Sequence, residues 1–199
     1  MKRIVRLPLL LAAFGFPMAH AAESYLRPII SNVSPSTEGY SNAVAGGLSA
    51  GFYWGPRGQH EINYEWGYTY WDSKGVLSNM GYAIRETFMP HLINYRFNLR
   101  LSESNNYSWY LGPSLGFTNN KVTIEATSGS QRVSFSQADW SFTFGGTTGI
   151  NLRLTDRIDL DLGYRYLSVK GAKYTVSGVT FESQNAHANI VYAGIGFRF

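Results

Sequence analysis

Between Glu61 and Tyr70, large apolar side chains fall on every second residue. Ile62, Tyr64, Trp66, Tyr68 and Tyr70 alternate with Glu61, Asn63, Glu65 and Gly67. A strand turns successive side chains to opposite faces, so this segment has one oily face and one polar face. The same pattern closes the sequence, where Val191, Ala193, Ile195, Phe197 and Phe199 alternate with Tyr192, Gly194, Gly196 and Arg198. A soluble sheet seldom leaves a row of aromatics on an exposed side. A cylinder of strands in a membrane does, with lipid against the oily face and polar groups in the lumen.

Eight segments carry such patterns: 24–32, 42–54, 59–71, 84–100, 107–118, 139–153, 157–169 and the C-terminal strand. The 14 Tyr, 12 Phe, 5 Trp and 21 Gly favour strands and turns over long helices. Connections at 55–58, 101–106 and 154–156 are short, whereas those at 33–41, 72–83, 119–138 and 170–186 are longer. Alternating short and long links with an even strand count fit periplasmic turns, outer loops and both termini in the periplasm. The expected fold is all-β, an eight-stranded antiparallel up-and-down transmembrane β-barrel. In the fourth segment Ile84 and Phe88 are even while Ile93, Tyr95, Phe97 and Leu99 are odd. A bulge at Pro90 and His91 would account for that switch. Within 121–135 two short alternating runs flank Ser128-Gly129-Ser130, which predicts a hairpin above the membrane.

Lys2, Arg3 and Arg6 precede an apolar run from Leu7 to Met18, and Ala19-His20-Ala21 has the small-x-small form of a cleavage site. Residues 1–21 read as a secretory signal peptide, with 22–199 as one barrel domain. Setting aside those three cations leaves 14 basic against 13 acidic residues, so the charge offers nothing to nucleic acid. The chain has no cysteine and hence no disulfide framework or thiolate metal site. No metal and no cofactor is expected.

The alternation also assigns an interior. Arg27, Glu61, Glu65, Arg85, Arg96, Asp139, Arg153, Asp159, Asp161, Arg165 and Arg198 all fall on the polar parity. Buried charges persist only when paired. Arg27 and Arg198 are expected to contact Asp159 or Asp161, and Glu65 to meet Arg96 on the adjacent segment. An eight-stranded lumen is just wide enough for side chains, so these charges read as a packed core before they read as an ion path.

The signal peptide, the eight alternating segments, the ending "YAGIGFRF" and the stretch "IDLDLGYRYLSVKG" resemble the OmpA/OmpX/opacity-type outer membrane β-barrel superfamily. The resemblance covers essentially the whole of 22–199. It implies residence in the outer membrane of a Gram-negative bacterium, among outer membrane lipid and lipopolysaccharide. It also implies Phe197 and Phe199 as a signal for the outer membrane assembly machinery. That superfamily includes adhesins, immune-evasion proteins and structural barrels. "YLRPIISNVSPSTEG" and "FMPHLINYRFN" are loosely similar to OmpW, a small barrel linked to hydrophobic compounds. That similarity implies a conduit whose lining includes Leu92 and the aromatics of the outer loops.

Some small barrels act on lipid A. His187 is the one catalytic candidate here, on the lipid-facing parity near the outer rim. The deacylase pattern places a Ser two residues on, where this chain has Asn189, and no carboxylate is evident to orient the imidazole. The expected function is therefore non-enzymatic: a structural or adhesive barrel that displays loops to a host or cell-surface protein. Thr123, Glu125, Arg132 and Ser134 are the polar candidates on its rim. The alternative is a narrow channel for small hydrophobic molecules or ions, and the remote alternative is a lipid A-modifying enzyme.

Overall fold

The structure, a computed structural model, describes residues 23–36, 40–55, 58–77, 80–100, 106–128, 131–176 and 179–199. The expected signal peptide lies outside the described residues. The strands are β1 (Glu23–Pro35), β2 (Ala43–Trp54), β3 (His60–Leu77), β4 (Met80–Arg100), β5 (Tyr107–Ser128), β6 (Gln131–Arg153) and β7 (Ile158–Val169), followed by β8 (Lys173–Val176), β9 (Val179–Glu182) and β10 (Ala186–Arg198). Eight of them close a barrel in the order β1-β10-β7-β6-β5-β4-β3-β2, and every neighbouring pair is antiparallel. β8 and β9 form a separate hairpin in the last outer link. Closure is made by β1 against β10, where the Phe199 amide donates to Ser24 O at 3.0 Å.

The oily parity faces outward. Ile30 is 62% exposed, Trp140 55% and Ile195 48%, while their polar-parity neighbours Arg27, Asp159 and Asp161 are fully enclosed. That inversion of the soluble pattern marks the lipid-facing wall.

Strand lengths divide the ring into two halves. β1, β2, β7 and β10 have 13, 12, 12 and 13 residues. A tilted strand of about 9–11 residues suffices to span a bilayer, so these four do little more than cross it. β3, β4, β5 and β6 have 18, 21, 22 and 23 residues. Pairing of β2 with β3 ends at Gly46↔Tyr68, and pairing of β6 with β7 ends at Thr143↔Val169. The ladders between them run on to Leu77↔Met80, Gly81↔Thr127 and Ser128↔Gln131. Within the links read as 72–83 and 119–138, the described residues 72–77, 80–83, 119–128 and 131–138 are strand, a four-stranded sheet standing above the membrane with β3 and β6 at its edges. The tip of the predicted β5–β6 hairpin, 129–130, lies outside the described residues.

The bulge expected at Pro90 and His91 is absent. The β3–β4 register is unbroken from His60↔Phe97 to Leu77↔Met80, and β4–β5 runs without a slip from Arg100↔Ser108 to Gly81↔Thr127. Even residues of β4 therefore face inward along its whole length. The apolar residues change parity because the surroundings change. Low on β4 the oily neighbour is lipid outside; higher up it is protein inside.

Two lumen positions require glycine for space. A Cβ on Gly163 would lie 2.4 Å from the hydroxyls of both Tyr110 and Tyr192, and one on Gly149 would lie 2.3 Å from Tyr110. The phenols cross the lumen over these bare backbones. At Gly46, by contrast, a Cβ would meet nothing within 4 Å. Gly163→Val is expected to abolish the heat-modifiable gel mobility of the folded barrel, and Gly46→Val to leave it intact.

Candidate functional site

The lumen is filled in two layers. The layer nearer the periplasm is ionic. Arg27 on β1 bonds Asp161 Oδ2 at 2.8 Å and Asp159 Oδ1 at 3.3 Å, both on β7. Arg96 on β4 reaches the same Asp161 oxygen at 2.8 Å and Glu61 on β3 at 3.2 Å. Arg198 on β10 bonds Asp159 Oδ2 at 2.8 Å and Glu23 at 2.7 Å. Tyr25 donates to Glu61, and Tyr110 donates to Asp161 Oδ1 at 2.6 Å. The Arg27 guanidinium lies 4.3 Å from the Tyr25 ring centroid and Arg96 4.4 Å from that of Tyr110. Three cations and three anions, Arg27, Arg96 and Arg198 with Glu61, Asp159 and Asp161, thus neutralise one another. Their desolvation is offset by direct charge pairing and donated phenol protons.

Glu65 does not meet Arg96. Its Oε2 accepts from Arg165 Nη2 at 2.6 Å, and Arg165 belongs to β7. In the ring β3 and β7 stand opposite each other, so this pair spans the diameter. Glu65 is level with Leu92 on β4, so β4 offers it an aliphatic neighbour in place of Arg96. Arg85 was also expected inside. It sits on the outer face of the tall sheet, bonded to Asp72 at 2.7 Å and exposed. Its odd number would face inward only past a bulge. Asp139 stays at the mouth, accepting from the Lys173 amide at 2.6 Å, and Arg153 sits at the periplasmic end with Glu23 at 2.9 Å.

The outer layer is apolar on the β7, β10, β1 and β2 side and at Leu92, and polar on β5 and β6, where buried Thr118 and Thr143 lie 2.7 Å apart and Asn120 donates to Ser141 at 2.8 Å. Ile29, Val33, Ala45, Leu92, Leu167, Ile190 and Tyr192 form one buried cluster, with Trp71 and Ala188 packed against it. Above the Glu65–Arg165 floor it leaves a pocket of about 100 Å³, also walled by Phe88 and Pro90. These inward aliphatics at the outer strand ends could have been read from parity alone. The bulge reading turned Phe88 the wrong way and concealed them. Leu92, named for a possible conduit, is fully buried in this cluster.

The inner-face row Ser73–Ile84–Ile124–Phe135 continues the apolar surface up the tall sheet. The outer face is polar. Asp72, Arg85, Thr123 and Ser136 form one cross-strand row, with Thr123 Oγ1 and Ser136 Oγ 3.2 Å apart. Glu125 pairs across the sheet with Ser134 and is ion-paired to Arg132. Thr123, Glu125, Arg132 and Ser134 therefore share one face, stabilised only as exposed pairs are.

His187 lies on the outside of β10 with its Nδ1 2.9 Å from Tyr166 OH, and Ser168 is its partner across the ladder. A phenol holds the imidazole where an acyl-transfer dyad would have a carboxylate. Among the described residues, no group of three or more His, Cys, Asp or Glu could hold a metal ion. Phe197 and Phe199 project from the wall, 48% and 80% exposed.

Asp161 joins both buried arginines at 2.8 Å, and its loss would leave Arg27 only the longer contacts to Asp159 and Glu61 and Arg96 only Glu61. Asp161→Ala is expected to destabilise the folded barrel by about 3–5 kcal/mol. Asp72→Ala, which breaks an exposed pair, should change stability by less than about 1 kcal/mol. Equilibrium urea unfolding in lipid vesicles measures both.

Comparison with known proteins agrees with this architecture. No curated protein matches the chain. Three solved barrels share the fold. Ail, the attachment invasion locus protein of Yersinia pestis, solved with the heparin analogue sucrose octasulfate, is 14% identical, with 89% of this chain and 97% of that one covered and a TM-score of 0.54. Neisserial surface protein A is 17% identical, with 89% and 97% covered and a TM-score of 0.51. Outer membrane protein H of P. aeruginosa is 19% identical, with 89% and 99% covered and a TM-score of 0.50. The model of the outer membrane protein beta-barrel domain matches residues 7–199. With a closed ring of eight strands, an oily exterior and this match over nearly its whole length, the chain belongs to the outer membrane protein β-barrel domain family.

Proposed function

We propose that the chain is a non-enzymatic barrel of the Gram-negative outer membrane that presents its tall sheet to a protein on another surface. In this reading residues 1–21 direct export and are cleaved, and Phe197 and Phe199 carry the signal for the assembly machinery. The observation that carries it is the unequal height of the wall. β3 to β6 stay paired with one another well past the last residues that β2 and β7 can cover. A sheet with edges at β3 and β6 offers main-chain groups for an added strand. The polar face bearing Thr123, Glu125, Arg132 and Ser134 supplies side chains for selectivity beside those edges.

The ionic layer supports display over conduction. Direct ion pairs link facing walls in the lumen from Arg198 up to Glu65 and Arg165, and an ion on this path would have to compete with them. The apolar pocket favours a second role at the mouth, retention of a small hydrophobic molecule, with the Glu65–Arg165 pair beneath it as a stop.

Removing residues 122–136 should leave heat-modifiable folding unchanged and abolish binding of the vesicle-embedded protein to host-cell surface proteins. Lipopolysaccharide and a sulfated saccharide serve as parallel ligands. Planar bilayers containing the intact protein should be electrically silent. Steady single-channel openings, or full binding by the truncated protein, would overturn the display reading.

A further inference from the structure

Among the described residues, the β2–β3 ladder stops beside the outer pocket. Gly46 and Tyr68 lie on the lipid-facing parity, as does His187 on β10, and all three line the same pocket as the inward Ile29 and Ile190. The two strands pair from Trp54↔His60 to Gly46↔Tyr68 and then part, although β2 begins at Ala43 and β3 continues to Leu77. Side chains take over where the ladder stops. Thr69 Oγ1 donates to Val44 O at 3.3 Å, and Trp71 Nε1 donates to Ser41 O at 2.6 Å. The other flank is also weak. The β3–β4 ladder skips Gly67 and Tyr68, which stand opposite Pro90 and Met89. Proline has no N–H to give to a ladder. Gly46, Gly47 and Gly67 cluster at this point and contribute no side chains; Pro90 packs against Gly67, and among the described residues a Cβ on Gly46, on the lipid side, would meet nothing within 4 Å.

We propose that this seam admits one acyl chain from an outer-leaflet lipid into the pocket. The occupant follows from continuity. Gly46 and Tyr68 belong at once to the surface that lipid covers and to the pocket wall, so hydrocarbon reaches the opening without crossing water. The interior it meets is Ile29, Val33, Phe88, Leu167 and Ile190. About 100 Å³ has room for the end of a single chain. Glu65 and Arg165 limit its depth, because neither member of that ion pair gives way to a methylene without losing its partner. The pocket is mostly apolar, with Thr69, Thr118 and the Glu65–Arg165 pair among its lining, so entry gains chiefly packing and the chain exchanges with the surrounding lipid. The side-chain bonds from Thr69 and Trp71 keep the parted carbonyls satisfied where lipid cannot. This inference goes beyond surface display and is tested independently of it.

The absence of cysteine makes the test direct. Ala188→Cys places one thiol in the pocket, and Ile195→Cys places one on the lipid-facing wall as a reference. Each variant is folded into phosphatidylcholine vesicles and treated with an N-alkyl maleimide dissolved in the bilayer, or with a charged methanethiosulfonate added outside. Gly46→Trp, combined with each thiol variant in turn, covers the seam from the lipid side. Gly46→Leu replaces it if the tryptophan variant lacks the heat-modifiable mobility of the folded barrel. Closing the lipid-side route should slow alkyl labelling of the pocket thiol by about tenfold, with the charged reagent's rate and labelling of the reference thiol unchanged. Unchanged alkyl labelling of the pocket thiol in the covered variant would overturn the proposal. Equal slowing of both reagents would also overturn it, since the pocket would then fill from the open mouth.

Discussion

Asp161 holds two arginines that reach it from β1 and β4, and Glu65 reaches Arg165 across the full width of the ring. These contacts tie together walls that the ladders alone join only to their neighbours. Polar filling keeps the strands alternating against an oily exterior. The ionic layer supplies it by matching charge for charge among buried side chains. Each member is shared between two or more partners, so removing one weakens the pairing of its neighbours and the layer acts as a unit.

What lies above that layer depends on it. Salt bridges occupy the lower lumen, and the partly apolar upper lumen stands above them. The same inward face then climbs the tall sheet through Ile84, Ile124 and Phe135. One set of residues, on one parity, serves as polar filling at the bottom, apolar lining in the middle and the concave face of an exposed sheet at the top. The register never slips, and only the environment changes along it.

This explains which parts were legible in the sequence. Alternation in 61–70 and 191–199 fixes strand identity and facing because lipid and lumen differ sharply at those heights. The same parity places Arg27, Asp159, Asp161 and Arg198 inside, and their pairs form between strands around the closure. Glu65 was matched with Arg96 because sequence suggests adjacent strands, whereas its partner stands on the opposite wall, a distance no local pattern encodes. The switch between Phe88 and Ile93 carries real information, but a geometric slip and a change of surroundings leave the same trace in one strand. Only the inward Ile29, Val33, Leu167 and Ile190 on other strands separate the two explanations. The seam at Gly46 was not legible at all, since it depends on where two ladders stop.

The unequal wall gives the molecule a compass direction. Lipopolysaccharide sugars beside β10, β1 and β2 would stand level with the opening, whereas behind β3 to β6 the upright sheet screens it. Lipid using the proposed seam would therefore arrive from one quadrant of the membrane plane, and crowding along the low side would govern when the pocket is within reach.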